Sequence, residues 1–333
     1  MQSESSMQVL FLGEAPEKSQ PWLGDFLACA EGVCAVTLFD PDRPLGEQFA
    51  GMDVVVDLCR GGGTREVIDC ARDAGVKLWQ VISTGLDKVN VEYILSQGLT
   101  MAYTPGKLSA IALAEHALYL MLYFVKEHSR NQRNIQEGTW FQPICSELCG
   151  QTLGLVGFGA SARELARRAG PLGMRLMAID VAPAAPEVER EFGLDFRGGP
   201  DDLDKILAES DYVSIHVPLD ERTRGLIDAR VFEKMKPTAI LLNIARGPIV
   251  DEEALIDALR TGRIRGAGVD VFEREPVPPD NPLLHMENVL ATPHIAGTTH
   301  GTSRRRAEAI VENIRRAGRG EPPLYQVTSA SSP

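Results

Sequence analysis

The chain has 333 residues, 44% of them hydrophobic and 24% charged, which is typical of a soluble globular protein large enough for two domains. Its formal net charge of −12 argues against the basic surface on which nucleic-acid-binding proteins depend. No apolar run is long enough to span a bilayer, and residues 1–6 lack the basic and apolar regions of a signal peptide. We therefore expect a cytoplasmic protein with neither a nucleic-acid nor a membrane partner.

The first third of the chain alternates strand-like and helix-like segments. Five strands are expected, at Gln8–Gly13, Val33–Asp40, Asp53–Leu58, Leu78–Ser83 and Thr100–Tyr103. Helical stretches such as Arg65–Ala74 lie between them. This alternation is the pattern of parallel βαβ units.

A single long helix is expected next, from about Leu113 through Glu137. A second alternating series follows, with strands expected at Leu153–Gly157, Arg175–Ile179, Tyr212–Val217, Ala239–Ile244, Ala267–Val271 and Val289–Thr292. A last helix is expected at about Ser303–Ala317, and its arginines 304–306 indicate a solvated face or an interface edge. The tail from Gln326 has the composition of a disordered segment.

The two series predict an α/β fold with two doubly wound parallel sheets. We assign residues 1–112 and 298–333 to a discontinuous first domain, and residues 113–297 to a second domain. The two domains are similar in architecture, but the sequence contains no internal repeat. No metal site is expected, because Cys145 and Cys149 are the only close cysteine pair and no histidine lies near them in the sequence.

A glycine turn in the second series carries the most specific local signal. The apolar segment Leu153–Val156 is followed by Gly157, Gly159 and a helical stretch at Arg163–Ala169. A strand that enters a helix through glycines presents free backbone N–H groups to a pyrophosphate. Asp180 lies 23 positions after Gly157, where a carboxylate can bind the hydroxyls of a ribose. The sequence predicts a dinucleotide site, and the simpler alternative is a packing turn with Asp180 as a cap.

Two further features refine this prediction. Ser161 can donate a hydrogen bond to the pyrophosphate, whereas Ala162 replaces the third glycine of the motif and crowds the helix against the strand. Residues 181–185 contain no Arg or Lys to pair a 2′-phosphate, and Asp180 would repel one. NAD is therefore favoured over NADP.

Four segments at the expected strand ends complete the pattern: His216–Leu219, Asn243–Gly247, Asp270–Pro276 and Thr292–Gly297. Together with residues 83–89, 113–118, 138–140 and 235–237, they resemble the D-isomer-specific 2-hydroxyacid dehydrogenases. That family includes phosphoglycerate, glycerate, glyoxylate/hydroxypyruvate and D-lactate dehydrogenases. The resemblance implies a flavodoxin-like substrate domain, a Rossmann NAD-binding domain, and a homodimer formed through the helix at 113–137.

The resemblance also implies a catalytic set, and the chemistry agrees with it. Arg246 offers a planar cation for the carboxylate of a 2-oxo acid. His294 can exchange a proton with the carbonyl oxygen while hydride is transferred at carbon. Glu275 would bind the other ring nitrogen, orient the imidazole and favour its protonated form. Alone, each has a simpler interpretation: a surface ion pair, a strand-end histidine in the core, or a solvated acid.

Other positions follow from the family pattern. The implied cofactor contacts, besides those of the glycine turn and Asp180, are His216, Pro218, Thr223, Ile244, Ala245, Asp270, His294 and Gly297. Asp270 resembles the position that holds the nicotinamide carboxamide. The backbone amides of Thr84 and Gly85 would bind the substrate carboxylate. Arg60 could meet a second acid group of the substrate or be a solvated loop residue, and His116 is not expected to act in proton transfer.

Two alternatives stay open. A dehydrogenase of a small anion such as phosphite would keep the same three catalytic residues, whereas a formate enzyme of this family places Gln where Glu275 stands. An NAD(H)-sensing protein on the same scaffold, such as a transcriptional corepressor, is the alternative from another functional class.

Overall fold

A computed structural model of the chain describes residues 7–59, 63–183 and 186–328. The chain divides into two compact units, Met1–Leu108 with Thr298–Pro333, and Ser109–Gly297. Each unit is built on its own sheet. Among the described residues, no helix is both long and apolar enough to cross a membrane.

The strands, in chain order, are β1 (Met7–Leu12), β2 (Cys34–Leu38), β3 (Val54–Asp57), β4 (Leu78–Val81), β5 (Met101–Ala102), β6 (Thr152–Val156), β7 (Arg175–Ile179), β8 (Phe196–Gly198), β9 (Tyr212–Ile215), β10 (Ile240–Asn243), β11 (Gly266–Val269), β12 (Val289–Ala291) and β13 (Gln326–Val327).

The α-helices are α1 (Trp22–Ala30), α2 (Leu45–Phe49), α3 (Arg65–Asp73), α4 (Val91–Ser96), α5 (Ala110–Val125), α6 (His128–Gln136), α7 (Ala160–Ala169), α8 (Pro186–Phe192), α9 (Leu203–Glu209), α10 (Ala229–Phe232), α11 (Glu252–Arg260) and α12 (His300–Gly318). Short 3-10 turns lie at Gly106–Leu108, Gly170–Leu172, Pro200–Asp202, Gly247–Ile249 and Pro282–His285.

The sheet of the first unit has the order β2-β1-β3-β4-β5-β13. Its strands pair in parallel, except that β13 runs antiparallel to β5. Successive residues of β1 point to opposite faces, so Val9 and Phe11 pack in the core with α1 and α12 while Leu10 and Leu12 pack in the core with α3 and α4. Both faces are covered, which explains why its central strands are continuous apolar runs. The strand order reverses between β1 and β3, as in flavodoxin-like sheets.

The sheet of the second unit has the order β8-β7-β6-β9-β10-β11-β12, with all neighbours parallel. This is the Rossmann order with one additional strand, and it reverses between β6 and β9. Small residues bring the covering helices close. A Cβ added at Gly268 of β11 would lie 3.1 Å from the Cβ of Leu120 in α5, and one added at Gly154 of β6 would lie 2.6 Å from Cγ2 of Ile206 in α9.

The predicted class, an α/β fold with two doubly wound sheets, is confirmed. The prediction of one helix at 113–137 is wrong. Helix α5 ends at Val125, and Glu127 adopts φ +50°, a left-handed conformation that a continuous right-handed helix excludes. Asn131 donates to the carbonyl of Lys126 across this break at 2.6 Å.

Two further features differ from the sequence prediction. The disordered tail was expected from Gln326, but Gln326 and Val327 pair with β5. The short strand β8 was not predicted, because its three residues carry no periodic pattern.

Candidate active site

The glycine turn lies at the point where the strand order of the second sheet reverses. Gly157 follows β6 with φ +92°, and an added Cβ would lie 2.8 Å from Cγ1 of Val217 and 2.9 Å from the carbonyl carbon of His216. Both the backbone conformation and the available space therefore require glycine. A Cβ added at Gly159, the N-cap of α7, would meet no atom within 4 Å. The main chain at the start of this helix is thus open to a ligand, as an anion site requires.

Asp180 lies directly after β7 and is held in a fixed orientation. Its Oδ2 accepts a hydrogen bond of 2.5 Å from the amide of Phe158, and its Oδ1 accepts one of 2.9 Å from the amide of Ala182. Each carboxylate oxygen can accept more than one bond. The side chain therefore retains acceptor capacity beside the glycine turn, where the sequence predicts a ribose.

Two arginines lie beside Asp180 and the glycine turn. Arg163 of α7 donates to the carbonyl of Phe158 at 3.1 Å, and Arg197 of β8 donates to the carbonyl of Ala182 at 2.8 Å. Both guanidinium groups lie within 6 Å of the Phe158 ring centroid. They fix the loops that bear Asp180 and its partners, and no local sequence pattern indicated them.

His216 follows β9, on the other side of the same reversal point. Its Nδ1 lies 2.9 Å from the hydroxyl of Ser161, and its Nε2 lies 2.8 Å from the hydroxyl of Ser214. Burial of the ring lowers the pKa of His216 to about 3. The imidazole is therefore neutral near pH 7, and the Ser161 hydroxyl, expected at a pyrophosphate, is engaged with it. Ala162 is fully buried in the core.

The loop after β9 contains two more of the implied cofactor positions. Thr223 donates from its hydroxyl to the carbonyl of Pro218 at 2.6 Å, and the amide of Asp220 donates to the same hydroxyl at 2.8 Å. Hydrogen bonding to Arg222 holds the pKa of Asp220 below its usual value. Asp220 thus stays ionised and closes the loop around Thr223 through the amides of Arg222 and Thr223.

Arg246 lies just after β10, on a loop braced by Asn243. The side-chain Nδ2 of Asn243 donates to the backbone carbonyl of Arg246 at 3.0 Å, and its Oδ1 accepts from the backbone N–H of Ala245 at 3.1 Å. A Cβ added at Gly247 would lie 1.9 Å from the carbonyl of Phe272, so only glycine allows this close approach. Consequently the loop of Arg246 lies against the segment that leads to Glu275. Ile244 is buried in the core beneath this loop.

His294 and Glu275 are brought together from positions 19 residues apart. Nδ1 of His294 lies 2.9 Å from Oε2 of Glu275, and the other carboxylate oxygen accepts a bond of 3.3 Å from the amide of Phe272. The side chain of His294 is 45% exposed. This arrangement orients the ring through Nδ1 and leaves Nε2 as the atom that can exchange a proton with a ligand.

The loop of His294 is held by Asp270, which is 1% exposed. Its Oδ1 accepts from the amide of Ile295 at 2.9 Å, and its Oδ2 accepts from the amide of Ala296 at 2.8 Å. The carbonyl of Asp270 accepts from the amide of His294 at 2.8 Å. Asp270 therefore organises the His294 loop, and its contact with the nicotinamide stays a prediction of the family resemblance. Gly297 follows this loop and is the last residue of the second unit.

In the first unit, Thr84 and Gly85 follow β4. The hydroxyl of Ser83 donates to the carbonyl of Gly85 at 2.7 Å, and Nη2 of Arg306 donates to the hydroxyl of Thr84 at 3.1 Å. Arg306 is only 9% exposed, so the expectation of a solvated arginine face is wrong at this position. The guanidinium lies 5.0 Å from the ring centroid of Trp22, which supplies a buried aromatic face for the cation. Arg60 lies outside the described residues.

Among the described residues, no group of three or more His, Cys, Asp or Glu side chains could hold a metal ion.

The strand ends of the second unit present a dinucleotide-type turn, a fixed carboxylate, a guanidinium, and a histidine paired with an acid. Such a set can bind an anionic substrate and move a proton at one atom of it.

Comparison with known proteins agrees with this chemistry. A family model described as "D-isomer specific 2-hydroxyacid dehydrogenase, NAD binding domain" matches residues 118–296. The chain is 37% identical over 283 residues to a glyoxylate reductase of Korarchaeum cryptofilum, covering 83% of each protein. It is 38% identical over 268 residues to a hydroxypyruvate reductase of Thermotoga maritima, covering 79% of this chain and 84% of that one.

A similar solved structure is that of D-lactate dehydrogenase with NAD+ from Lactobacillus jensenii. It superposes with a TM-score of 0.82 at 27% identity, and the match covers 97% of this chain and 100% of that chain.

Proposed function

The chain belongs to the D-isomer-specific 2-hydroxyacid dehydrogenase family, and we propose that its His294 and Glu275 form the proton-transferring pair of an NAD-dependent oxidoreductase. The reaction is the interconversion of a D-2-hydroxy acid and its 2-oxo acid. The observation that supports the catalytic assignment is the 2.9 Å bond between Nδ1 of His294 and Oε2 of Glu275 at a strand end.

The residues of the second unit fit NAD. The backbone at Gly157 and Gly159 would hold the pyrophosphate, because one position excludes a side chain and the other faces open space. Asp180 would accept bonds from the ribose hydroxyls and would repel a 2′-phosphate. When bound, NAD donates or accepts the hydride.

Each catalytic residue then has a defined role. In the reductive direction, Nε2 of His294 donates a proton to the carbonyl oxygen as the carbonyl carbon gains hydride; in the oxidative direction, it takes the proton from the hydroxyl. Glu275 keeps the ring oriented through its bond to Nδ1. Arg246 binds the substrate carboxylate through its planar fork. The backbone amides of Thr84 and Gly85 stay predicted contacts of a substrate carboxylate.

The test is steady-state turnover of glyoxylate, hydroxypyruvate and pyruvate with NADH and, separately, with NADPH. We expect NADH oxidation with at least one of these acids, a D-configured product where hydroxypyruvate or pyruvate is reduced, and a lower kcat/KM with NADPH. NADH binding without turnover of any 2-oxo acid would contradict the proposal and favour a sensor. Reduction of NAD by phosphite alone would instead identify a small-anion dehydrogenase.

We also propose that the protein is a homodimer in the cytoplasm. Three large apolar side chains after α6 are highly exposed, Trp140, Phe141 and Ile144, with Phe141 at 99% and Ile144 at 94%. Large apolar side chains exposed close together in the sequence suit an interaction surface, and these three follow the helix pair that the family resemblance assigns to dimerisation. The six cysteines are free thiols, which suits a reducing compartment.

Light scattering should give twice the monomer mass of 36.3 kDa. The double substitution Phe141→Ser and Ile144→Ser should shift the protein toward the monomer, while Leu284→Ser, at another exposed apolar position, should not. A wild-type monomer at all concentrations would contradict the dimer.

A further inference from the structure

A partly buried chain of hydrogen bonds leads from helix α5 to the loop of His294. Nε2 of His116 lies 3.0 Å from the hydroxyl of Thr292, and that hydroxyl lies 2.6 Å from Oδ1 of Asp270. His116 comes from α5, Asp270 follows β11 and Thr292 follows β12, so three elements meet here. We propose that His116 is a positioning residue for His294, acting through Thr292 and Asp270. This inference rests on the catalytic role proposed for His294.

The direction of each bond follows from the chemistry of the groups. Asp270 accepts the backbone N–H groups of Ile295 and Ala296, which suits an ionised carboxylate with acceptors only. The Thr292 hydroxyl therefore donates its single proton to Asp270. Its oxygen must then accept from His116, which requires a hydrogen on Nε2 of that ring.

The environment of His116 keeps its ring neutral, and the hydrogen bond to Thr292 then selects the tautomer. Its side chain is 12% exposed, and burial lowers its pKa more than the nearby Asp270 carboxylate raises it. The ring is consequently neutral near pH 7, with the Nε2 hydrogen directed at Thr292. The ring of Tyr119 lies edge-on to His116, at 5.7 Å between the ring centroids.

The hydrogen-bond chain ends at the loop of His294, whose backbone conformation must be stabilised by its surroundings. His294 has φ +54°, a left-handed conformation that a residue with a Cβ adopts only when its surroundings enforce it. Asp270 receives the amides of the two residues that follow His294, and its carbonyl receives the amide of His294 itself. Fixing the Asp270 carboxylate therefore fixes the backbone that directs the His294 ring toward Glu275.

Removing the hydrogen bond of His116 should make the His294 loop more mobile without changing any residue that contacts NADH or the 2-oxo acid. His116→Phe keeps a ring of similar size but removes the donor, and His116→Gln restores an N–H at similar reach. We expect His116→Phe to lower kcat about 10-fold or more, as the loss of a supporting partner behind a functional side chain commonly does, with the Kd of NADH changed less than 2-fold. His116→Gln should recover kcat to within about 3-fold of the wild type.

A double-substitution test separates positioning from general destabilisation. Thr292→Val removes the hydroxyl and should cost as much in kcat as His116→Phe, while the double variant should be no slower than either single one. The matched control is His128→Phe, the same change at an exposed site of α6, which should leave kcat unchanged. Wild-type kcat in His116→Phe, no recovery in His116→Gln, or additive losses would overturn the inference.

A readout independent of activity distinguishes failure of this inference from failure of the proposed function. Amide hydrogen exchange at Ile295 and Ala296 should be at least about 10-fold faster in His116→Phe than in the wild type, and restored in His116→Gln. Faster exchange in a protein that turns over no 2-oxo acid would sink the proposed function and leave the structural coupling standing. Unchanged exchange would refute the coupling even in an active enzyme.

Discussion

A histidine follows each of two strands of one sheet, β9 and β12, and the surroundings give the two rings opposite chemistry. His216 lies between the hydroxyls of Ser161 and Ser214, and burial lowers its pKa to about 3. His294 is paired with the carboxylate of Glu275, and nearly half of its side chain is exposed. A neutral, enclosed imidazole can only orient neighbours, whereas an exposed one backed by an acid can exchange protons.

The comparison extends to the halves of the sheet that carry these residues. The β6–β9 half contains the glycine turn, Asp180 and His216, which are suited to a bound dinucleotide. The β10–β12 half contains Arg246, Glu275 and His294, which are suited to an anionic substrate and its proton. Substitutions in the two halves should therefore affect different kinetic constants.

The largest difference is expected between the two histidines themselves. His294→Asn should lower kcat by about 10²–10⁴-fold, the usual contribution of a general acid or base, with the Kd of NADH little changed. His216→Asn should raise the Kd of NADH and keep most of the wild-type kcat. Stopped-flow NADH oxidation and fluorescence titration measure the two constants, with His285→Asn as an exposed control. Near-wild-type turnover by His294→Asn would break the comparison.

A substitution at Arg246 tests whether this residue binds the substrate and not the cofactor. Arg246→Lys keeps the charge but loses the planar fork, so kcat/KM for the 2-oxo acid should fall about 10–100-fold. The KM of NADH should change little, because Arg246 is not among the predicted cofactor contacts. Arg260→Lys, the same change at an exposed site of α11, is the matched control and should alter neither constant. Equal damage to both substrates would refute the carboxylate role of Arg246.

A smaller effect concerns stability and pH. The pKa of His216 is lower in the folded protein, about 3, than its ordinary value of 6.5. Below pH 6.5 the unfolded chain therefore binds a proton that the folded chain does not. The free energy of unfolding should be unaffected by this ring above pH 6.5, and should fall by at most about 1.4 kcal/mol per pH unit as the pH drops toward 3.

His216→Gln removes that dependence. Urea unfolding of both proteins at pH 7.5, 6.0 and 5.0 should show the variant gaining on the wild type as the pH falls. Parallel pH dependences would show that the ring is not held neutral.

Local patterns predicted the parts of the site that local geometry determines. The turn at Gly157 was predictable because its positive φ and close packing demand glycine within one strand-turn-helix unit. Arg246, Glu275 and His294 were identified only by resemblance to a family, since nothing within a few residues of them reveals their partners.

The remaining features depend on contacts between distant segments. His116 meets Thr292 across 176 residues, and Arg306 meets Thr84 across 222 residues. A run of three arginines on a helix predicts exposure from its charge, and only the fold shows that one of them lies over an aromatic ring. The break at Glu127 escaped prediction because neither glycine nor proline marks it.

The most direct test of the central claim, that Glu275 acts through His294, is a double-mutant cycle on the single-turnover rate of NADH oxidation. Glu275→Gln should slow the wild type about 10-fold or more, yet change the rate of His294→Asn by less than 2-fold. If Glu275→Gln slows both backgrounds by the same factor, the two side chains work independently and the proposed pair is wrong.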